Sequence, residues 1–316
     1  MSTTATKPVL LVTAADLAPE ALDMLGDFEV VFAGKQPTED DIVALCARHK
    51  PVAIIVRYGK INARIMDAAA GNLQVISKHG SGIDVIDQDA AAARGIAVRA
   101  AVGANAAAVA EHAWALILAC AKSVPQLDAR MRAGHWDKAT HKSIELDGRT
   151  LGLVGLGAIG RRTAAIGLAF GMKVLAFDPY TKEAPAGVQL VALGELYAQS
   201  DVVSLHCPLT AENRKMLNRD AFSCFKPGAI LVNTARGGLI DEAALVEALA
   251  NGRLRAAGLD SFDVEPMTAP HPFQGVANII LSPHIGGVSD AAYLNMGKGA
   301  AANVLAVIEE RARTAA

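Results

Sequence analysis

Residues 150–178 read TLGLVGLGAIGRRTAAIGLAFGMKVLAFD and decide the fold of the chain. The apolar run at 151–154 has the length of a buried strand, and so has the apolar run at 174–177. A glycine-rich turn and a helical pattern separate these two runs. A strand, a turn, a helix and a second strand in this order predict one βαβ unit of a parallel sheet.

The turn carries Gly155, Gly157 and Gly160 in the spacing G-x-G-x-x-G. The first glycine permits a tight turn, the second lets the backbone approach a pyrophosphate, and the third lets the helix lie close to the strand. We therefore expect the backbone of this turn, including Ala158 and Ile159, to bind phosphate oxygens at the start of the helix.

Asp178 ends the second strand, 18 residues after Gly160, and is followed by Pro179. A carboxylate in this position can accept a hydrogen bond from a ribose 2′-hydroxyl. Because NAD has a free 2′-hydroxyl and NADP does not, the sequence predicts NAD as the cofactor.

The composition is that of a globular protein. A length of 316 residues suits two domains, and 52% hydrophobic residues are enough for sizeable cores. The formal net charge is -2, with charges of both signs mixed along the chain. We therefore expect no surface for nucleic acid or anionic lipid, and a small molecule as the partner.

The four cysteines, Cys46, Cys120, Cys207 and Cys224, are far apart and form no C-x-x-C pair. They predict no metal site and no disulfide framework, but buried thiols in a reducing cytoplasm. The N-terminus lacks a long apolar core after a basic start, so no signal peptide is predicted. No run of about 18 strongly apolar residues occurs, so no membrane span is expected.

Short β-rich runs alternate with helical patterns, which is typical of parallel sheets covered by helices. The first group of predicted strands lies at 9–13, 29–32, 53–56, 73–77 and 97–99, with helices at 18–25, 40–49 and 65–70. The second group includes 151–154 and continues at 174–177, 202–205, 229–233, 257–259 and 279–281. Two groups of strands predict two α/β domains, each with a doubly wound parallel sheet.

A helix at 106–122, with Asn105 as its predicted N-cap, joins the two groups. A final helix at 291–311 has no strand of its own to accompany and is expected to fold back onto the first domain. Residues 134–146 are polar and irregular, which indicates an exposed arm or an oligomer contact.

In a doubly wound sheet the ligand lies at the carboxyl ends of the strands, so polar residues that follow strands are site candidates. Four such segments occur in the second half of the chain. They are 206–210 (HCPLT), 233–238 (NTARGG), 260–266 (DSFDVEP) and 282–287 (SPHIGG).

With these segments the chain resembles the D-isomer-specific 2-hydroxyacid dehydrogenases, the family that includes phosphoglycerate, hydroxypyruvate and glyoxylate enzymes. The similarity extends from about Arg57 to the C-terminus and rests on VGLGAIG, FDPY, HCPLT with Asn213, VNTARGGLID, GLDSFDVEP and LSPHIGG, in this order. It implies a Rossmann NAD-binding domain at 103–288 and a flavodoxin-like substrate-binding domain at 1–102 plus 289–316, completed by the C-terminal helix. It also implies an active site in the cleft between the domains and a homodimer formed through about 105–146.

The catalytic arginine of the family falls on Arg236, its acid on Glu265 and its histidine on His284. Reduction of a 2-keto acid requires a hydride at the carbonyl carbon and a proton at the oxygen, so a group that titrates near neutral pH must stand beside that oxygen. His284 suits this role, and Glu265 would favour its protonated ring. The planar, charged guanidinium of Arg236 can form two parallel hydrogen bonds to the substrate carboxylate.

The resemblance also assigns the binding residues. Those for the cofactor are Gly155, Gly157, Ala158, Ile159, Gly160, Asp178, Pro179, His206, Cys207, Pro208, Thr210, Asn213, Thr234, Ala235, Arg236, Asp260, His284, Gly286 and Gly287. Those for the substrate are Arg57, His79, Gly80, Ser81, Arg236 and His284. The sequence leaves open whether the substrate contacts Lys78, His79, His141 or Lys142. The default interpretation is structural for His49, His112, His135, His141 and His271.

The predicted function is therefore NAD-dependent hydride transfer between a D-2-hydroxy acid and its 2-keto acid, with the physiological acid and the direction left open. Two alternatives remain, an NAD-sensing protein that resembles transcriptional corepressors and an enzyme that resembles formate dehydrogenase. The formate enzymes have glutamine where this chain has Glu265, so the carboxylate favours an enzyme that acts on 2-hydroxy acids. Only eight residues follow Ile308, so no added regulatory domain is expected.

Overall fold

The chain forms two parallel α/β units in the computed structural model, which describes residues 7–315. The first unit takes the described residues up to Asn105 together with those from Val288 onward. The second unit is the continuous segment Ala106–Gly287. The two-domain α/β class predicted from the alternating pattern is confirmed.

The first unit is built on a five-stranded parallel sheet in the order β2-β1-β3-β4-β5, which is the order of flavodoxin-like folds. Its elements are β1 (Val9–Val12), α1 (Pro19–Met24), β2 (Glu29–Phe32), α2 (Glu39–His49), β3 (Ala53–Val56), α3 (Ala63–Ala68), β4 (Val75–Lys78), α4 (Gln88–Ala93), β5 (Ala97–Ala100) and, from the end of the chain, α11 (Asp290–Ala315).

Strand β3, with the sequence AIIV, is buried along its whole length because helices cover both faces of this sheet. Helix α11 supplies part of that cover, since Ala300 and Val304 are fully buried in one apolar cluster with Leu10 and Val12 of β1. The prediction that the final helix completes the first domain is confirmed.

The second unit contains a seven-stranded parallel sheet in the order β12-β11-β10-β9-β6-β7-β8. Its elements are α5 (Ala106–Lys122), α6 (Val124–Arg132), β6 (Thr150–Val154), α7 (Ala158–Ala169), β7 (Lys173–Phe177), β8 (Val188–Leu190), α8 (Leu193–Gln199), β9 (Val202–Leu205), α9 (Arg219–Ser223), β10 (Ala229–Asn233), α10 (Glu242–Ala250), β11 (Leu254–Leu259) and β12 (Ile279–Leu281). This is the Rossmann order, in which the direction of winding reverses between β6 and β9.

Alternate residues of the seven-stranded sheet face opposite sides, as the two-residue repeat of a strand requires. Val203 and Leu231 belong to one apolar cluster, whereas Val202 and Ile230 belong to the cluster on the other face. Helix α5 packs closely on that second face, where a Cβ added at Gly258 would lie 2.9 Å from the Cβ of Leu116. The long helix predicted at 106–122 is thus a core element of the second unit.

Several element bounds differ from the prediction. Strand β4 begins at Val75 and not at residue 73, because Leu73 is buried from the preceding loop and its hydrophobicity imitates a strand position. Strand β11 begins at Leu254, earlier than predicted. The prediction missed its first residues because the exposed Arg255 interrupts the apolar run. The three-residue β8 and helices α4, α6, α8, α9 and α10 were not predicted individually.

Among the described residues no single helix is long and apolar enough to cross a membrane. The pair α5 and α6 meets the length and composition criteria together, but it is bent by 59°.

Candidate active site

The glycine turn after β6 has the backbone that its sequence requires. Gly155 has a φ of +99°, and a Cβ there would lie 2.8 Å from backbone atoms of His206 and Cys207. A Cβ at Gly160 would lie 2.2 Å from the carbonyl oxygen of Gly155, so α7 approaches the turn too closely for any side chain. A Cβ at Gly157, by contrast, would meet no heavy atom within 4 Å. Open space therefore adjoins the middle glycine.

The N-terminus of α7 is suited to an anion. Gly157 is its N-cap and has no side chain that could accept a hydrogen bond from the first turn. The N–H groups at the start of a helix lack partners within the helix and attract negative charge. Together with the open space at Gly157, these groups form a cradle that fits the pyrophosphate of a dinucleotide.

Asp178 follows β7, and its carboxylate is held by the backbone. It accepts hydrogen bonds from the N–H groups of Leu156 at 2.8 Å, Tyr180 at 2.9 Å and Thr181 at 3.2 Å. Partial burial alone would raise the pKa of Asp178, but the three backbone donors outweigh it and hold the pKa below its usual value. A fixed negative charge therefore stands beside the glycine turn.

The segment after β9 contributes a neutral histidine and a rigid loop. His206 shares a hydrogen bond of 2.9 Å between its Nε2 and Ser204 Oγ, and burial lowers the pKa of His206 to about 4. Burial also raises the pKa of the Cys207 thiol to about 11. Asn213 accepts from the Thr210 N–H at 2.7 Å and donates to the Pro208 carbonyl at 2.8 Å. The HCPLT loop is thus shaped by Asn213, and its two titratable groups are uncharged.

Arg236 lies after β10 in a turn that Asn233 organises. The buried Asn233 donates from Nδ2 to the Arg236 carbonyl at 2.8 Å and accepts the Ala235 N–H at 2.9 Å. The backbone of the next residue, Gly237, packs directly against the backbone of Phe262, because a Cβ at Gly237 would lie 1.9 Å from the Phe262 carbonyl carbon. This glycine brings the turn that carries Arg236 against the segment that carries Glu265.

Glu265 and His284 form a direct pair. Nδ1 of His284 lies 2.6 Å from Oε2 of Glu265, and Oε1 of Glu265 accepts the Phe262 N–H at 2.9 Å. The hydrogen bond with Glu265 raises the pKa of His284 above its usual value, although burial and the charge of Arg236 oppose the rise. For Glu265, burial favours a higher pKa, but the bonds from His284 and Phe262 and the charge of Arg236 hold it below its usual value. The pair therefore combines a carboxylate with an imidazole that readily holds a proton.

The loop that carries His284 is held by a buried carboxylate. Asp260, which is 2% exposed, accepts the N–H groups of Ile285 at 2.9 Å and Gly286 at 2.7 Å. Its Oδ1 also accepts the Ser282 hydroxyl at 2.6 Å. His284 itself has a φ of +55°, an unusual conformation for a residue with a side chain. Asp260 thus holds the backbone after His284 and the Ser282 side chain before it.

His112, which the sequence pattern indicates to be structural, contacts this network. Its Nε2 is 2.8 Å from Ser282 Oγ and 3.3 Å from Asp260 Oδ1. The one sequence signal was a polar interruption of the alanine-rich helix by Glu111 and His112.

The structure brings all the predicted cofactor-binding residues to one edge of the seven-stranded sheet, where each follows the carboxyl end of a strand. The turn after β6 carries Gly155 and Gly157, and the first turn of α7 carries Ala158, Ile159 and Gly160. The later strand ends are followed by Asp178, Pro179, His206, Cys207, Pro208, Thr210, Asn213, Thr234, Ala235, Arg236, Asp260, His284, Gly286 and Gly287. Among residues 7–315, no group of three or more His, Cys, Asp or Glu side chains could hold a metal ion.

The remaining predicted substrate-binding residues lie in the first unit. Arg57 follows β3, and His79, Gly80 and Ser81 follow β4, so all four lie at the carboxyl edge of the five-stranded sheet. Gly80 has a φ of +124°, which a residue with a side chain rarely adopts.

Comparison with known proteins places this arrangement in one family. Residues 114–286 match the model of the family described as "D-isomer specific 2-hydroxyacid dehydrogenase, NAD binding domain". The chain is 40% identical over 301 residues to the D-3-phosphoglycerate dehydrogenase of Mycobacterium tuberculosis (strain ATCC 25618 / H37Rv), covering 94% of this chain and 56% of the relative. The chain therefore spans about half the length of the curated phosphoglycerate dehydrogenases that it matches.

A hydroxypyruvate reductase of Thermotoga maritima is matched over nearly its whole length, with 39% identity over 283 residues that cover 89% of this chain and 92% of the relative. The crystal structure of D-lactate dehydrogenase from Aquifex aeolicus with NAD and lactic acid superposes with a TM-score of 0.84 and 29% identity, over 96% of each chain. The chain belongs to the D-isomer-specific 2-hydroxyacid dehydrogenase family.

Proposed function

We propose that this protein is an NAD-dependent oxidoreductase that interconverts a D-2-hydroxy acid and the corresponding 2-keto acid. The observation that carries the proposal is the 2.6 Å contact between Glu265 and His284, in a loop at the same sheet edge as the glycine turn. The nicotinamide of the bound cofactor supplies or accepts the hydride. The side chains of the protein bind the acid and move the proton.

His284 is the proposed acid and base. Glu265 engages Nδ1 of the ring, so the second nitrogen, Nε2, is the atom that exchanges a proton with the substrate oxygen. In reduction the protonated ring gives its Nε2 proton to the oxygen on C2 and becomes neutral, and in oxidation the neutral ring takes the hydroxyl proton. The raised pKa of His284 keeps the protonated form available near neutral pH.

Arg236 is proposed to bind the substrate carboxylate and polarise the adjacent carbonyl, since a guanidinium forms two parallel hydrogen bonds to a carboxylate. Asn233 and Gly237 hold the turn that carries it. From the first unit, we propose that Arg57 and His79 contact the substrate and that the backbone N–H groups of Gly80 and Ser81 also bind its carboxylate. The positive φ of Gly80 supports this proposal because it turns the backbone sharply at the strand end.

We propose that Asp178 gives the enzyme its preference for NAD. The ionised carboxylate at the end of β7 can accept a hydrogen bond from a ribose 2′-hydroxyl and would repel a 2′-phosphate.

The homodimer and the cytoplasmic location are also proposals. In the segment 105–146, Val124 is 59%, Met131 52% and Trp136 75% exposed, and large apolar side chains of this kind are enriched in protein interfaces. Light scattering during size-exclusion chromatography tests the dimer, which a monomeric mass would contradict. The four cysteines are unpaired thiols, which supports a reducing compartment.

The function is tested by a panel of acids. NADH oxidation is followed with hydroxypyruvate, glyoxylate, pyruvate, phenylpyruvate and 2-ketoisocaproate, and NAD reduction with 3-phosphoglycerate. We expect turnover with at least one of these acids and its loss in His284→Ala. Binding of NADH without turnover of any acid would contradict the proposed function and would favour a cofactor-sensing protein.

A further inference from the structure

The turn that follows β3 is fixed by a buried threonine directly after β1. Thr13, which is fully buried, accepts the Arg57 N–H at 3.0 Å and the Tyr58 N–H at 3.3 Å. The hydroxyl of Thr13 in turn donates to the Tyr58 carbonyl at 2.7 Å. Arg57 is therefore held in one place at the carboxyl edge of the five-stranded sheet.

The charge of Arg57 already has a partner. Its Nη1 forms an ion pair with the Asp16 carboxylate and donates to the Asp16 carbonyl at 2.8 Å. The guanidinium carbon lies 5.0 Å from the ring centroid of Tyr293 and 5.5 Å from that of Tyr58, within the range of cation–π contacts. The Tyr293 hydroxyl donates to Asp16 at 3.2 Å and so holds the carboxylate in this arrangement.

The two partners of this ion pair differ in their exposure to solvent. The Arg57 side chain is only 14% exposed, although that of Asp16 is 67% exposed. The rings of Tyr58 and Tyr293 lie near the guanidinium, whereas the Asp16 carboxylate is largely open to solvent. A ligand at this edge therefore meets an arginine whose charge is neutralised and a carboxylate that faces solvent.

The residues at the end of β4 and just after it do not restore a positive charge to this edge. Lys78 directs its ammonium to the carbonyl oxygens of Val56 and Arg57, at 3.2 Å each. His79 is 7% exposed, and burial together with the charges of Arg57 and Lys78 lowers the pKa of His79 to about 4. Its Nε2 is buried with no hydrogen-bond partner within the described chain. The imidazole is therefore neutral at physiological pH and adds no positive charge to this edge.

We propose that this edge selects a 2-keto acid with an uncharged substituent on C3, such as a hydroxyl group, over one with a phosphate there, and that Asp16 sets the preference. A phosphate dianion needs unpaired cations, whereas Arg57 is neutralised and Asp16 would repel the dianion. A hydroxyl group carries no charge and meets no such repulsion. The inference rests on the proposed function, and the names of the matched relatives, phosphoglycerate dehydrogenase and hydroxypyruvate reductase, leave both classes open.

The test compares two substrates that differ only in the phosphate. With NADH, kcat/KM is measured for hydroxypyruvate and for its 3-phosphate ester, and we expect the unphosphorylated acid to be preferred by about tenfold or more. Asp16→Asn keeps the size of the side chain, removes its charge, and should reduce this ratio by about tenfold through improved use of the ester. Asp23→Asn is the matched control, because it removes an exposed carboxylate of α1. It should leave the ratio of the two kcat/KM values unchanged.

Equal or better use of the phosphate ester by the unmodified protein would overturn the proposal, and an unchanged ratio in Asp16→Asn would overturn the role of Asp16. A general loss of folding would lower kcat/KM for both substrates without moving their ratio.

A binding measurement separates this inference from the proposed function. If no acid is reduced, the proposed function fails, and calorimetry with the NADH-loaded protein still compares D-glycerate with 3-phosphoglycerate. Weaker binding of 3-phosphoglycerate supports the selection against phosphate, and tighter binding overturns it.

Discussion

Replacing Glu265 by glutamine is expected to move the pH profile of keto-acid reduction to lower pH. The glutamine keeps the shape of the side chain and can still accept the Phe262 N–H, but it carries no charge next to Nδ1 of His284. Because Glu265 raises the pKa of His284, its neutralisation lowers that pKa and shrinks the protonated fraction of the ring. Reduction needs the protonated ring and oxidation the neutral ring, so both profiles should shift in the same direction.

The size of the effect follows from the contact. A hydrogen bond to a charged group contributes about 1.5–3 kcal/mol, and the 2.6 Å separation is at the short end of the range. The His284 and Glu265 side chains are 47% and 34% exposed, so solvent screening reduces the contribution to about 1–2 kcal/mol. This free energy is a factor of about 5–30 in the equilibrium between the protonated and neutral ring. Above the wild-type transition the reduction rate should fall by that factor, while at low pH it should approach the wild-type rate.

The assay follows NADH oxidation with a saturating keto acid from acidic to alkaline pH, and NAD reduction with the matching hydroxy acid over the same range. Glu247→Gln is the control, because Glu247 lies on α10 and pairs with Arg219. Superimposable profiles for Glu265→Gln and the wild type, or a shift to higher pH, would refute the reasoning. A uniform loss of rate at every pH would indicate that Glu265 only orients the ring.

Three other changes test separate parts of the site. Asp178→Ala should narrow the preference for NAD over NADP, because repulsion between like charges costs several kcal/mol; equal kcat/KM values for the two cofactors in the wild type would contradict the role of Asp178. His284→Ala should lower turnover by about 10²- to 10⁴-fold while the Kd for NADH, measured by fluorescence, changes little; near wild-type turnover would remove His284 from the mechanism. Asp260→Ala leaves the Ile285 and Gly286 N–H groups without their acceptor and should lower the free energy of unfolding by about 2 kcal/mol or more, which an unchanged denaturation midpoint would contradict.

The parts of the site that could be predicted from sequence depend on local backbone conformation or on the topology of a parallel sheet. The glycine turn could be predicted because the roles of Gly155 and Gly160 follow from backbone conformation and close approach within six residues. The positions of Arg236 and His284 after strands could be predicted because parallel strands bring their carboxyl ends to one edge.

Contacts between distant segments could not be predicted in the same way. His112 reaches Ser282 across 170 residues of sequence, because α5 packs on the seven-stranded sheet. The contact between Asp16 and Tyr293 spans 277 residues and depends on how α11 lies against the first unit. No local pattern specifies such a pairing, since it follows from the packing of whole helices.

The return of α11 to the first unit has a consequence for synthesis on the ribosome. The strands β1 to β5 emerge first, but the apolar surface that includes Leu10 and Val12 is covered only in part, by α1 residues such as Ala21, until Ala300 and Val304 have been translated. The second unit is continuous and has all its strands once β12 has emerged, so we expect it to fold before the unit that precedes it in sequence. During that interval the nascent chain exposes an unfinished sheet, which is the kind of surface that chaperones bind and that aggregation begins from.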